Sequence, residues 1–325
     1  MKMSLIAAVI APMMAGEIDQ AFIQTYETTL RHLAQQKMSK LKDKCQHVSK
    51  QSESHNWETL ASMDPDAVKR KSSRTPNADG TFPTPVNNKP FAKRRTNVDT
   101  YDTGHSTEQE DISQMLIDPN SNLVMSQSYA MARFSDDLII AGMWKPASIK
   151  GSGIPVEFLA TQEIGDGTAP ISFDYVTEIT EKFLQNDIEP EVAKCIVIGP
   201  TQARKLLQIT EATSADYTSA MVLQSAGIVT NWMGYTWIVS TRLDKFDPTE
   251  WDMTVDDGPD YGANEIWCVA MTQMALGYHS AKDIWTRVAE DPSASFAWRI
   301  YSAFTADCVR VEDEHIFKLR LLNTL

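Results

Sequence analysis

A chain of 325 residues, 42% hydrophobic and 9% aromatic, has room for one large domain or two modest ones around a sizeable core. Its four cysteines, Cys45, Cys195, Cys268 and Cys308, are too scattered for a disulfide framework or a metal-binding pair, which leaves reduced, mostly buried thiols. The net charge of −13 is uneven, +5 over residues 1–100 and −18 over residues 101–325, and this balance gives no footing for specific nucleic-acid recognition.

Residues 5–14 form an apolar run behind the single Lys2. That is a poor signal peptide, and the run is well short of the ~20 residues a membrane-spanning helix needs. The expectation is a soluble, intracellular protein. Residues 18–44 read as an amphipathic helix with Ile18, Phe22, Tyr26, Leu30, Leu33 and Leu41 near one stripe, a face that needs a partner surface. Between residues 45 and 110 the large anchors are Trp57, Leu60, Phe82 and Phe91, and proline recurs at Pro65, Pro76, Pro83, Pro85 and Pro90. Such a stretch builds no core of its own. The turn signal at Asn77-Ala78-Asp79-Gly80 predicts a long projecting hairpin.

Asp118-Pro119 supplies helix start signals, and Leu123, Gln127, Met131, Phe134 and Leu138 follow at helical spacing until Gly142 and Pro146 stop the run. Met131 and Phe134 are a core face. Asp136 and Asp137, adjacent on a helix, point in different directions, so they form a solvated or salt-bridged edge in place of a metal pair. A further helix is expected over residues 173–184, a buried strand over 195–198, a helix over 201–209, and a short helix ending at Gly227. Then come a strand over 228–230, a turn at Met233-Gly234, a strand over 235–240, an acidic loop over 244–261 and a strand over 266–270. That alternation indicates an α/β region. The last forty residues read as two long strands around the acidic turn Glu312-Asp313-Glu314, with Phe296, Trp298, Ile300, Phe304 and Cys308 on one side and Phe317, Leu319 and Leu321 alternating with Lys318 and Arg320.

Chemistry-bearing patterns are missing from the sequence. There is no phosphate-binding glycine loop, no nucleophile elbow, and no metal-ligand spacing among His32, His47, His55, His105, His279 and His315. His279, beside Tyr278, is a lone histidine at an expected strand end and reads as structural. Asp244, Asp247, Asp252, Asp256, Asp257 and Asp260 do not follow a calcium-loop spacing. No catalytic, cofactor or metal residue is therefore assigned.

The order of these elements resembles the major capsid proteins of tailed bacteriophages with the Hong Kong 97-type fold, especially those of certain short-tailed phages. The matching stretches are Thr84-Pro85 followed by Arg94-Arg95, Asp118-Pro119 with the run from Ala130 through Asp136-Asp137, Val197-Ile198-Gly199-Pro200, Arg287 to Pro292, and Val309 to Asp313. They extend from about residue 20 to the end. The resemblance implies an α+β fold with an N-terminal arm (1–44), an extended loop (45–110), a peripheral domain (111–187, with a spine helix at 119–142), an axial domain (188–283) and closing strands of the peripheral domain (284–325).

It also implies a shell subunit acting through pentamers and hexamers of itself. Scaffolding, portal and decoration proteins and DNA packaged without sequence specificity would be its partners, in the virion capsid and away from membranes. Trp57, Phe82, Thr84, Pro85, Phe91, Arg94 and Arg95 would then face a neighbouring subunit, the arginines pairing with its carboxylates. Two rival readings are an encapsulin-like compartment shell and an α/β enzyme.

Overall fold

The computed structural model describes residues 35–60, 68, 70, 75–83, 91–108, 120–149, 155–209, 229–247, 252–253 and 264–324. Within them two sheets share one core. The first has four strands in the order β1 (Gln46–Ser49), β12 (Leu276–Asp291), β13 (Ala297–Arg310), β4 (Asp99–Thr107). The second has six, in the order β5 (Glu163–Ile164), β14 (Ile316–Leu322), β11 (Glu265–Thr272), β6 (Lys194–Ile198), β8 (Tyr235–Val239), β7 (Asn231–Trp232). A two-stranded hairpin of β2 (Ser54–Leu60) and β3 (Phe91–Asn97) shares no strand pairing with either, and β9 (Phe246–Asp247) pairs with β10 (Asp252–Met253).

The long helix α1 (Asn120–Trp144) packs on β13, at ~1.5 Å per residue a rod of nearly 40 Å. Gln127, Met131, Phe134 and Leu138 face the sheet or the core as their spacing predicts; Phe134 sits 4.9 Å from Tyr101 and 6.1 Å from Phe304, ring to ring. Gly142, however, is not a stop. The helix runs through it to Trp144, and a Cβ there would lie 2.8 Å from the Cys308 carbonyl oxygen. Glycine lets the helix approach β13 at that point, and Pro146 marks the true end.

On the six-stranded sheet, α2 (Phe173–Gln185) begins at an Ser172 N-cap and buries Val176, Ile179 and Phe183 at the three- and four-residue spacing of one helical face. Phe183 meets Phe317 edge to face at 4.7 Å. All of β6 is buried, and α3 (Pro200–Leu206) follows it with proline at its first turn. Met233 and Gly234 both adopt positive φ in the two-residue turn between β7 and β8, as that sequence predicts. The helix expected to end at Gly227 and most of the acidic loop lie outside the described residues.

Two expectations need correction. The closing strands do not pair with each other. β13 runs antiparallel to β12 in the four-stranded sheet, whereas β14 crosses to the six-stranded sheet and pairs with β11 on one side and β5 on the other. Residues 284–325 therefore do not return to one sheet: period-two patterning reports which face of a strand is buried, and says nothing about which strand lies alongside. At the other end, residues 35–41 are not helical, and only Lys42–Lys44 form a short 3-10 turn; the rest of the expected helix over 18–44 lies outside the described residues. Here Leu41 and Cys45 are drawn into the core and polar bonds from α1 take over the backbone.

Candidate assembly surface

The hairpin of β2 and β3 is the element sequence reasoning singled out, and its root is fastened to its own chain. Trp57 is buried with its indole lying across Gly277 of β12; a Cβ there would stand 2.4 Å from the ring. Its Nε1 donates to Thr96 Oγ1 across the hairpin at 2.7 Å. Trp57 thus anchors the hairpin in place of awaiting a neighbour. Arg94 likewise finds its carboxylate at home, donating to Asp313 Oδ2 at 2.6 Å, with both side chains largely buried. The backbone of Arg95 donates to Ser148 O at 2.9 Å and its guanidinium to Ser54 Oγ at 3.0 Å.

Asp313 is shared. Arg310, fully buried, donates its Nε to the same carboxylate and its remaining nitrogens to the carbonyl oxygens of Met143 (3.2 Å), Lys145 (3.4 Å) and Val156 (2.9 Å). Burial pulls the Arg310 pKa down and Asp313 opposes it. One guanidinium therefore satisfies carbonyls at the end of α1 while fixing, through Asp313, the arginine of the hairpin.

A histidine cluster lies beside this root. The His55 ring sits 4.7 Å from Trp57 and 5.4 Å from His279, which is fully buried inside β12 and donates Nε2–H to Lys50 O at 3.0 Å. His279 is thus structural, but mid-strand and not at a strand end. Burial lowers the pKa of His55, with His279 next, and burial followed by Lys42 lowers that of His47.

The hairpin's far end carries the predicted turn. Gly80 N donates to Asn77 O at 2.9 Å, Asn77 N to Thr81 O at 2.8 Å, and Gly80 has φ 77°, the pattern of a turn closed by a left-handed glycine. Residues 75–83 are all exposed, Phe82 included. Thr84 and Pro85 lie outside the described residues; Phe91 starts β3. The seven residues are therefore not one surface: Trp57 and Arg94 belong to the root, and Phe82 belongs to the tip.

Sequence reasoning missed the buried charges of α1. Asp136, fully buried, accepts from Gln36 Nε2 (2.5 Å), Ser39 Oγ (2.6 Å) and the backbone nitrogens of Lys40 and Leu41 (both 3.1 Å). Asp137 takes Arg242 in a bidentate pair, Nε to Oδ1 at 2.6 Å and Nη2 to Oδ2, and that bond raises the Arg242 pKa. The two carboxylates diverge as expected, and Asp137 is salt-bridged as the edge reading allowed, but both are buried: one holds the incoming arm and the other ties α1 to the segment after β8. The four cysteines are all buried and free, with burial pushing Cys195 and Cys268 up to about 12, so their thiols are unreactive. Among the described residues no group of three or more potential ligands is placed to hold a metal ion, and no helix is long and apolar enough to cross a membrane.

Two sheets, a helix of this length and a rooted hairpin define the Hong Kong 97-like class of shell-building subunits, and solved structures of that class superpose over nearly the whole chain. The cyanophage P-SCSP1u capsid gives a TM-score of 0.66 at 15% identity, covering 94% of this chain and 95% of that one. The mature capsid of bacteriophage PhiM1 gives 0.64 at 16% identity, covering 94% and 93%. The capsid of a native GTA particle gives 0.62 at 13% identity, covering 95% and 98%. A search of curated proteins returns no match. The family model described as phage capsid protein matches residues 18–322, and the chain belongs to that family. It is a major capsid protein, a structural component of an icosahedral virion shell, and the compartment and enzyme readings are not favoured.

Proposed function

We propose that the subunit closes its shell by forming pentamers and hexamers in which each hairpin lies across the neighbouring subunit. The observation that carries this reading is the division of the hairpin into a root fastened by Trp57 and the Arg94–Asp313 pair and a solvent-exposed segment at residues 75–83. A hairpin held at its root that presents exposed residues further along is preorganised for contact, which lowers the ordering cost of association. Repeated around symmetry axes, modest contacts of this kind add to a stable shell. The interface residues under this reading are Phe82, Thr84 and Pro85 at the tip, with Phe91 and Arg95 nearer the root.

The arm (1–44), extended loop (45–110), spine helix, peripheral region and axial region follow the same reading, except that β14 is assigned to the axial sheet with which it pairs. Separate scaffolding and portal proteins, assembly in the host cytoplasm and packaging of double-stranded DNA without sequence specificity complete it. Negative-stain microscopy of the full chain, expressed alone and with its neighbouring gene products, tests it. Closed shells of regular size are expected; particles carrying enclosed protein and no DNA would favour a cellular compartment.

A further inference from the structure

Sheet edges in this molecule are treated unequally. The six-stranded sheet ends on β5 and β7, each two residues long, and the four-stranded sheet ends on one side on β1, four residues long. Strands this short offer little backbone to an incoming chain, which is one way folded proteins keep their edges from pairing with others. The remaining edge, β4, is nine residues long, and its one strand partner among the described residues is β13. Its register with β13 runs from Asp99 to Thr107 without a bulge, and it contains neither lysine nor proline, so the other usual guards of an edge are missing as well. Every residue from Asp102 to Ser106 is exposed. A second element lacks what this edge could supply. β3 of the hairpin bridges to Ile149 at Arg94, which leaves β2 as the hairpin's outer strand. A two-stranded ribbon is marginal in water and gains stability from a third strand.

We propose that β4 is a strand-addition site and that its occupant is β2 of a neighbouring copy, which extends the four-stranded sheet into the hairpin of the next subunit. The inference rests on the reading that each hairpin lies across a neighbour, and it names the surface that receives it. Within one chain the two strands belong to different sheets. Every copy brings one such hairpin and one such edge, so donors and acceptors are equal in number. Their lengths agree, seven residues in β2 against nine in β4. Main-chain hydrogen bonds supply the affinity in this kind of contact. Because it joins two different surfaces, the contact is heterologous and propagates around a ring, as pentamers and hexamers require.

Hydrogen exchange resolved to single residues, on the free full-length subunit and on assembled shells, tests this. Successive residues of a strand turn their N–H groups to opposite sides, so every second amide from Asp102 to Ser106 exchanges fast in the subunit, and in shells these amides slow about a hundredfold together with β2. Benzoylphenylalanine in place of Thr103 identifies the occupant, the expected product being a dimer of the chain that joins β4 to Ser54–Leu60. Thr103→Lys with Ser106→Lys puts guards on the edge and lowers shell yield about tenfold while the melting temperature of the subunit is unchanged. Outer amides of β4 that are already slow in the free subunit, or still fast in shells, would overturn the proposal. So would a cross-link to another protein or to another part of the chain, or normal shell yield from the double variant. Slowing of β2 in shells with β4 unchanged would leave the hairpin on a neighbour but on a different surface, so the two readings fail separately.

Discussion

The two sheets of this subunit spend their residues differently. In the six-stranded sheet every residue of β6 is buried and β14 has five of its seven residues buried, with α2 laid over the sheet by Val176, Ile179 and Phe183. In the four-stranded sheet the outer half of β12 is largely exposed and β4 is exposed along most of its length. The first is a closed core; the second is a platform carrying the hairpin and the segment at residues 35–45. A shell subunit needs both, one part that folds regardless of its neighbours and one that keeps surface for them.

Removing residues 317–325 should break the closed core outright. Phe317, Leu319 and Leu321 are buried between β5 and β11, and losing side chains worth about 1.5–3 kcal/mol each exceeds what a marginally stable fold can spare. No soluble, cooperatively melting protein is expected, and a truncated chain with a normal thermal transition would show that β14 is dispensable.

The platform should fail more locally. Asp313→Asn strips the carboxylate from the fully buried Arg310 and from Arg94 together, an expected loss of about 3 kcal/mol by chemical denaturation. Hydrogen exchange should rise at β2 and β3 in the same variant while β6 stays protected. Gly277→Ala should do the same more mildly, about 1–3 kcal/mol, because the new Cβ displaces the Trp57 indole. If β6 loosened as readily as the hairpin in either variant, the two regions would be one cooperative unit.

A weaker effect comes from acid. His47 and His55 have folded pKa values lowered by burial, so the unfolded chain takes up their protons first. Their contribution is fully present above about pH 6.5 and is lost as pH falls from there through the lowered folded values. Exchange at β2 should therefore rise toward pH 5 with little change at β6, and His55→Gln should flatten the profile. Asp307 on β13 has the opposite sign. Burial lifts its pKa from 3.8 to about 6, so it costs stability as pH rises through that window, and Asp307→Asn should raise the melting temperature at pH 8. Smallest of all, Phe82→Ala at the exposed tip should leave stability within about 0.5 kcal/mol while reducing shell yield, which separates folding from assembly.

Much of this architecture was legible in the sequence because local patterns mark local burial. The stripe of α1, the buried strand at Lys194–Ile198, the Met233-Gly234 turn and the Asn77–Gly80 turn all depend on residues close together in the chain. Partner choice was not legible. Trp57 and Arg94 look like interface residues until Gly277 and Asp313, each more than two hundred positions away, are found beside them. Asp136 and Asp137 read as a solvated or salt-bridged edge, and which partners they take, the arm for one and Arg242 for the other, is decided from outside the helix. Polar residues satisfied by distant groups carry no local signature, and in this chain they fasten the arm and help to hold the hairpin.

The pairing of β1 with β12 sets a kinetic demand. These parallel strands match Gln46 to Gly277, so the four-stranded sheet cannot be completed until chain ends separated by most of the polypeptide have met. Long-range pairing of this kind slows folding and leaves strand edges open meanwhile. A protein made in the numbers a shell requires would accumulate as sticky intermediates during that delay, so its synthesis should weigh heavily on the chaperones of the cell that makes it.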